Sequence, residues 1–196
     1  MEWKEAYRLV TGSVLPRPIA FVSTISADGT PNLAPFSFFT VVAADPLTLA
    51  FCPMRRDGDG AKKDTLVNIE ATGEFVINIV SEPFVRQMNE TSKAFPPEVD
   101  EFAESGLTPL ACALVRAPRV GEAMVAYECK LHQIVEVGGA KPGAGALVLG
   151  TVERIHVAYE VLNDNRIDLD ALQPVGRLGG AEYVRCTDRF TLVRPR

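Results

Sequence analysis

The sequence predicts a mainly β protein with peripheral helices, its strands forming a closed or nearly closed barrel. Three stretches carry that expectation. Residues 123–137 alternate, with Glu128, Lys130, His132 and Glu136 on one side and Tyr127, Cys129, Leu131, Val135 and Val137 on the other, the period of a long half-buried strand. After the turn residues Gly138-Gly139-Ala140-Lys141-Pro142-Gly143, residues 146–159 return as a second long strand. Two more strands, before and after Ala27-Asp28-Gly29, flank a turn that tolerates positive φ. Long antiparallel neighbours of this kind suit a closed sheet with its helices outside.

The remaining elements follow in chain order. Residues 1–10 alternate charge with apolar side chains at helical spacing and read as a short amphipathic helix. The second strand of the opening hairpin covers Asn32 to Thr40. A third strand covers Pro46 to Cys52 and stops at the turn-rich Arg55-Arg56-Asp57-Gly58-Asp59-Gly60. Lys62 to Ala71 reads as a helix with Leu66, Val67 and Ile69 on its packed side and Gly73 as a left-handed cap. Glu74 to Val80 is β-prone, and Ser81 caps a helix with Pro83 in its first turn that runs to about Asn89. Phe95 to Phe102, with two prolines, reads as an irregular excursion. Residues 167–174 form a short helix or turn, before Arg177-Leu178-Gly179-Gly180 and a last strand bearing Tyr183.

Composition sets limits on function. A chain of 196 residues, 47% hydrophobic, is expected to form one domain over residues 1–196. A net charge of −5 and a pI near 5.1 argue against a nucleic-acid partner. No apolar run is long enough to span a bilayer, and the start lacks the apolar core of a signal peptide, so a cytoplasmic protein with no membrane partner is expected. Cys52, Cys112, Cys129 and Cys186 are scattered without a Cys-x-x-Cys pair and read as buried, reduced thiols. His132 and His156 fall on the two long strands, at exposed or edge positions. They do not complete a metal shell, and no nucleophile is placed beside them, so neither a metal site nor a hydrolase triad is expected. Gly58 and Gly60 lack the third glycine of a dinucleotide fingerprint.

Chemistry concentrates between Pro16 and Thr65. Strands bearing aromatic and hydroxyl groups side by side, followed by a basic helix start, suit a flat ring at one end and a phosphate at the other, the shape of FMN. Taken alone, Asp64 capping that helix beside solvated lysines is the plainer account of its N-terminus.

The order Arg17-Pro18-Ile19-Ala20-Phe21-Val22-Ser23-Thr24, then Gly29 followed by Asn32-Leu33-Ala34-Pro35-Phe36-Ser37-Phe38-Phe39, then Lys63-Asp64-Thr65 with Asn68-Ile69, resembles the flavin reductase-like family of FMN-binding split barrels, to which flavoredoxins belong. The resemblance runs from about Pro16 to the strand after Gly180. It implies a split β-barrel of the FMN-binding type, a homodimer and electron transfer. Residue by residue it implies that Ser23, Thr24, Ser37 and Phe38 bond the ring edge, with apolar contact from Phe36 or Phe39. Ala34 and Pro35 share that strand, and Asn32 and Cys52 to Met54 line the ribityl path. Lys63, Asp64 and Thr65 form the phosphate end, and Arg177 reaches an anion in or near the flavin site. Phe95 and Phe102 either line the nicotinamide side or anchor their loop. The chemistry belongs to the flavin, so no catalytic side chain is required. The leading expectation is an NAD(P)H-dependent flavin reductase, with NADH or NADPH as donor and a monooxygenase or redox protein as acceptor. A flavoredoxin-like carrier with tightly bound FMN and a non-redox ligand-binding barrel are the alternatives.

Overall fold

The computed structural model describes residues 1–195. Helix α1 (Trp3–Ser13) precedes β1 (Ala20–Ile25), β2 (Pro31–Phe36), β3 (Phe39–Ala44) and β4 (Leu47–Phe51). Helix α2 (Asp64–Thr72) and β5 (Glu74–Ile79) follow, then α3 (Val85–Glu90), α4 (Glu101–Ser105) and the short strands β6 (Pro109–Leu110) and β7 (Arg119–Val120). The long pair β8 (Val125–Val137) and β9 (Gly145–Val157) leads to β10 (Leu162–Asn163), β11 (Arg166–Ile167), α5 (Leu169–Leu172), β12 (Val175–Arg177) and β13 (Tyr183–Arg185). None of the described helices is long and apolar enough to cross a membrane.

Seven strands form one antiparallel sheet in the order β2-β1-β5-β8-β9-β4-β3. Its two edges, β2 and β3, are consecutive in the chain and separated only by Ser37 and Phe38. The sheet therefore curls until its edges are joined by a covalent bend, while β2 and β3 have no ladder between them. That is a split barrel.

The bend corrects the expected strand from Asn32 to Thr40, which breaks in two. Phe36 is buried in the main core and Phe39 packs against the same core, yet residues three apart face opposite ways on a regular strand. A kink at Ser37-Phe38 resolves the conflict and frees the Ser37 hydroxyl from the sheet.

The barrel core is built round aromatic rings, with Phe36 and Phe51 centroids 5.2 Å apart and Phe51 and Phe75 centroids 5.6 Å apart. Helix α2 closes this core with Leu66 and Ile69 and ends at Gly73 in the left-handed region, φ 69°. Val67, expected on the packed side, is 47% exposed, because the helix buries the face shared by Leu66 and Ile69 at i and i+3 and Val67 turns away from it. A second cluster under α3 and α4 holds Phe21, Phe84 and Phe102, so Phe102 anchors the excursion.

Other expectations shift in the same physical way. Glu128 is fully buried and not on a solvated face, because residues 112–118 fold over that part of β8. Its carboxylate accepts from the Ala113 and Leu114 N–H groups at 3.1 and 2.6 Å and pairs with His156 Nε2 at 2.6 Å. His156 is thereby half-buried, whereas His132 is exposed. Among the cysteines only Cys129 is buried; all four are free. Ser81 makes no side-chain cap, and the segment opens as a 3-10 turn at Glu82–Phe84 before α3.

Gly150 on β9 faces the Phe75 ring, where an added Cβ would lie 2.3 Å from Cζ. Gly150→Ala is expected to destabilise the barrel by about 1–3 kcal/mol, the scale of overpacking in a filled core. Urea denaturation followed by circular dichroism measures this, with Gly58→Ala as a control where an added Cβ meets nothing within 4 Å.

Candidate functional site

A cavity of about 620 Å³ opens at the start of α2. Strand β2 contributes Asn32, Ala34 and Pro35 to its wall, and the helix start contributes Lys63, Asp64 and Thr65. A neighbouring second cavity of about 440 Å³ is walled by Ser37, Arg17 and Arg177 among others. Pro35 and Ser92 line both, so the two cavities adjoin, with Lys63 on the wall of the first and Ser37 on the wall of the second.

The wall of the first cavity is set by a buried polar network. Asn32 Oδ1 accepts from the Thr65 hydroxyl at 2.9 Å and the Thr24 hydroxyl at 3.3 Å, and Asn32 Nδ2 donates to Glu101 Oε1 at 2.8 Å. Glu101 Oε2 accepts from Leu33 N–H at 3.0 Å, and Asn68 Nδ2 donates to the Thr24 hydroxyl at 3.0 Å. The Thr65 hydroxyl is thus turned inward, so what Thr65 offers an anion is its backbone N–H at the helix start.

Cations concentrate beside that helix start. Lys63 is half-buried, makes no ion pair among the described residues, and its ammonium lies 5.8 Å from the Phe36 ring centroid. Burial, with the neighbouring Arg56 second, lowers its pKa. Asp64 is held by two bonds from Arg56 Nη2, at 2.8 and 2.7 Å, and α2 has no side-chain cap. Arg55 reaches Glu136 at 2.8 Å, and its buried Nε has no partner among the described residues.

Not every residue expected at the site lines the cleft. Ser23 and Thr24 are fully buried; the Ser23 hydroxyl donates to Pro118 O at 2.5 Å. Cys52 bonds through its backbone N–H to Phe38 O at 2.9 Å, and Met54 bridges to Gly145. Phe38 lies 6.3 Å from the Tyr7 ring, and Phe39 packs on the core. Phe95 is on the wall of the first cavity. Conversely, the sequence alone assigns no site role to Arg17 or Glu101, while the basic pair Arg55-Arg56 is available there for one small anion. Arg17 sits in the same motif as Ser23, which was a usable signal; Glu101 lies in an acidic tract where nothing distinguishes it from Glu98 or Glu104.

Comparison with known proteins places this geometry in a family. Residues 11–170 match the family model described as flavin reductase like domain. The chain belongs to the flavin reductase-like family. Nitrilotriacetate monooxygenase component B from Bacillus cereus is 37% identical, with a TM-score of 0.93 over 98% of this chain and 95% of that one. The 2-nitrobenzoate 2-nitroreductase NbaA of Pseudomonas fluorescens is 32% identical, with a TM-score of 0.88 over 100% and 93%. Flavoredoxin of Desulfovibrio vulgaris (Miyazaki F) is 25% identical, with a TM-score of 0.76 over 91% of each chain. The protein is a flavin reductase-type enzyme of split-barrel fold, and the family implies a flavin cofactor.

The residues present suit such a cofactor. A half-buried lysine without a counterion, an orphaned arginine Nε and a helix start free of a side-chain cap are donors waiting for an anion. On the wall of the first cavity, burial foremost raises the Glu101 carboxyl to about 7, against its bonds from Leu33 N–H and Asn32, which lower it.

The folded protein therefore keeps a proton that the unfolded chain releases in the ordinary carboxyl range. Its stabilising contribution is complete at low pH and is lost as pH rises towards about 7. Thermal denaturation from pH 4.5 to 8 is expected to show this decline in the wild type and its absence in Glu101→Gln, whatever that variant's absolute stability. Parallel pH profiles would count against the assignment.

Proposed function

We propose that the chain binds FMN along the cleft and works as an NAD(P)H-dependent flavin reductase, passing electrons from a nicotinamide donor to flavin and on to a partner oxygenase. The observation that carries this reading is the pair of adjoining cavities, one at the Lys63 end of α2 and one beside Ser37, that share Pro35 and Ser92 as wall residues. When bound, the flavin supplies hydride acceptance and one- or two-electron release.

The chain's own residues bind and orient. Lys63 and the first N–H groups of α2 hold the phosphate, and Arg56 neutralises Asp64 so that its carboxylate does not repel it. Asn32, Ala34 and Pro35 flank the ribityl path, with Asn32 fixed by Glu101 and Thr65. Ser37, freed by the kink, faces the ring edge with Arg17 Nε donating to its hydroxyl at 3.3 Å. Ser23 and Thr24 act one layer back, holding β1 against its neighbours.

Likeness to component B of a monooxygenase supports an oxygenase as acceptor. Likeness to a flavoredoxin supports the second reading, a carrier with FMN held throughout. The homodimer implied by family resemblance is supported by Val41 and Val42, 64% and 53% exposed on edge strand β3, and by Val137, 61% exposed. We place this work in the cytoplasm, in keeping with the free thiols.

Titration with FMN, FAD and riboflavin, followed by stopped-flow reduction with NADH and NADPH, tests the reading. A reductase binds FMN and is reduced rapidly by one of the two nucleotides; slow reduction by both favours the carrier. Lys63→Ala is expected to weaken FMN by about 1.5–3 kcal/mol, the scale of a charge-assisted hydrogen bond, and riboflavin far less. Equal losses for both ligands would place the phosphate elsewhere.

A further inference from the structure

Among the described residues lining the first cavity, Glu101 is the one acid that is buried without a cation. The lining holds four cations, Arg55, Arg56, Lys63 and Lys93, and four acids, Asp57, Asp59, Asp64 and Glu101. Asp57 and Asp59 are exposed on the loop before α2, where water and salt screen them. Asp64 is paired with Arg56 at 2.7 Å. Glu101 is 5% exposed, and its carboxylate bonds come from neutral donors, Asn32 Nδ2 to one oxygen and Leu33 N–H to the other.

The charges around this carboxyl follow from the elements beside it. Helix α4 packs on β2 and α3. Strand β2 brings only the neutral Asn32 and Leu33. Arg86 of α3 lines a separate cavity with Glu90 and Tyr183, and Lys93, just beyond that helix, is exposed and paired with Glu90. Helix α2 brings Lys63 to the same cavity and Asp64, whose charge adds to the cost of ionising Glu101. Arg55 reaches Glu136, and Arg56 is taken by Asp64. On α4 itself Asp100 spends its carboxylate on the Phe102 and Ala103 N–H groups, and Glu104 is exposed.

An anion brought into this cavity therefore meets a buried carboxyl that no cation compensates. Repulsion between like charges away from water favours the neutral acid. A protonated Glu101 still accepts from Asn32 and Leu33, because each carboxyl oxygen has a second lone-pair position, and it gains an O–H donor. Asn32, and through it the Thr65 end of α2, thus keeps its place when the charge is lost.

We propose that Glu101 is the proton partner of the phosphate: when FMN enters the first cavity, the Glu101 carboxylate takes up a proton from solvent, so flavin affinity is coupled to pH through this residue. Its role is positioning, since the neutral acid holds Asn32 without repelling the ligand. The identity of the anion rests on the flavin-site reading. Burial already raises the free carboxyl to about 7, and a bound dianion raises it further. Binding is then strongest, as far as this group is concerned, below about 7 and weakens as pH rises through the interval between the free and bound values.

Isothermal titration calorimetry of the flavin-free protein, in buffers of different ionisation enthalpy, counts the protons taken up. At about pH 7.5 free FMN is already a dianion, its second phosphate pKa being about 6, so the ligand itself has little left to release. Uptake of roughly half a proton or more is expected with FMN and none with riboflavin. From about pH 7 to 9 the FMN affinity is expected to fall about tenfold, the reach of one linked proton whose pKa moves by about one unit. Glu101→Gln is expected to show neither the uptake nor the decline. Infrared difference spectra need no variant: FMN binding to the wild type is expected to raise a protonated-carboxyl band, with riboflavin as the blank for the ring carbonyls. FMN bound without proton uptake, or equal uptake with riboflavin, overturns the inference and leaves the flavin reading standing. Uptake that persists in Glu101→Gln, or that comes without the carboxyl band, also overturns it and assigns the proton to Lys63, whose pKa burial lowers. Protein that ignores FMN at every pH removes both readings.

Discussion

One asparagine side chain ties the cofactor end of this molecule together. Asn32 spends its carbonyl on hydroxyls from β1 and α2 and its amide on a carboxyl from α4. Three elements distant in sequence are thereby referenced to one point on β2. Such a network is worthwhile only when nearly every member is satisfied, because an unpaired buried polar group loses more than a made bond returns. Here Glu101 completes it by capturing Leu33 N–H, an edge-strand donor that would otherwise be buried without a partner. The helix start that presents N–H groups to the cavity is consequently fixed by side chains and not by loop conformation, the arrangement a precisely oriented cofactor needs.

The split in the barrel explains where the cleft lies. A sheet closed by hydrogen bonds all round would present continuous ladders and no gap between strands. Here the edges β2 and β3 are joined by two residues and no ladder, and the second cavity opens beside Ser37 at that bend. Backbone groups left over on an edge strand usually invite aggregation. On β2 the edge is covered by α4 and interrupted by Pro31 and Pro35, which have no N–H to offer.

Much of this was legible from sequence, and the exceptions share a cause. The long pair β8 and β9, the opening hairpin and α2 with its glycine cap follow from local periodicity and turn chemistry, which do not depend on the rest of the fold. The break at Ser37-Phe38 did not, because Phe36 and Phe39 reach the same core only once the sheet has closed. Glu128 looked solvated for the same reason, since alternation tells which face a residue takes but not that residues 112–118 cover it. At the site, Lys63 and Asn32 came from motif order, whereas Ser23 and Thr24, in that same order, turn into the core. Their neighbours alternate as strand residues must, so motif membership could not say which of them faces the cleft. Glu101 was invisible because its importance is made by a contact across 69 positions.

The two cavities also divide the electrostatic work. Where the phosphate is proposed to sit, cations and carboxylates are mixed, and the two acids beside the helix start and on α4 are moderated: Asp64 is paired with Arg56, and burial foremost raises Glu101 to about 7. Such a site can bind a dianion without becoming an indiscriminate anion trap, because the field beyond it is nearly balanced. Across Pro35 the field is one-signed, with three arginines and no acid among the lining residues. A positive field next to a redox ring stabilises whatever negative charge arrives there, by reduction or by binding. In the binding mode proposed above, the bend that opens the barrel at Ser37 sets the cofactor's ring at the boundary between a balanced region and a positive one, and it is at that boundary that electrons are to be exchanged.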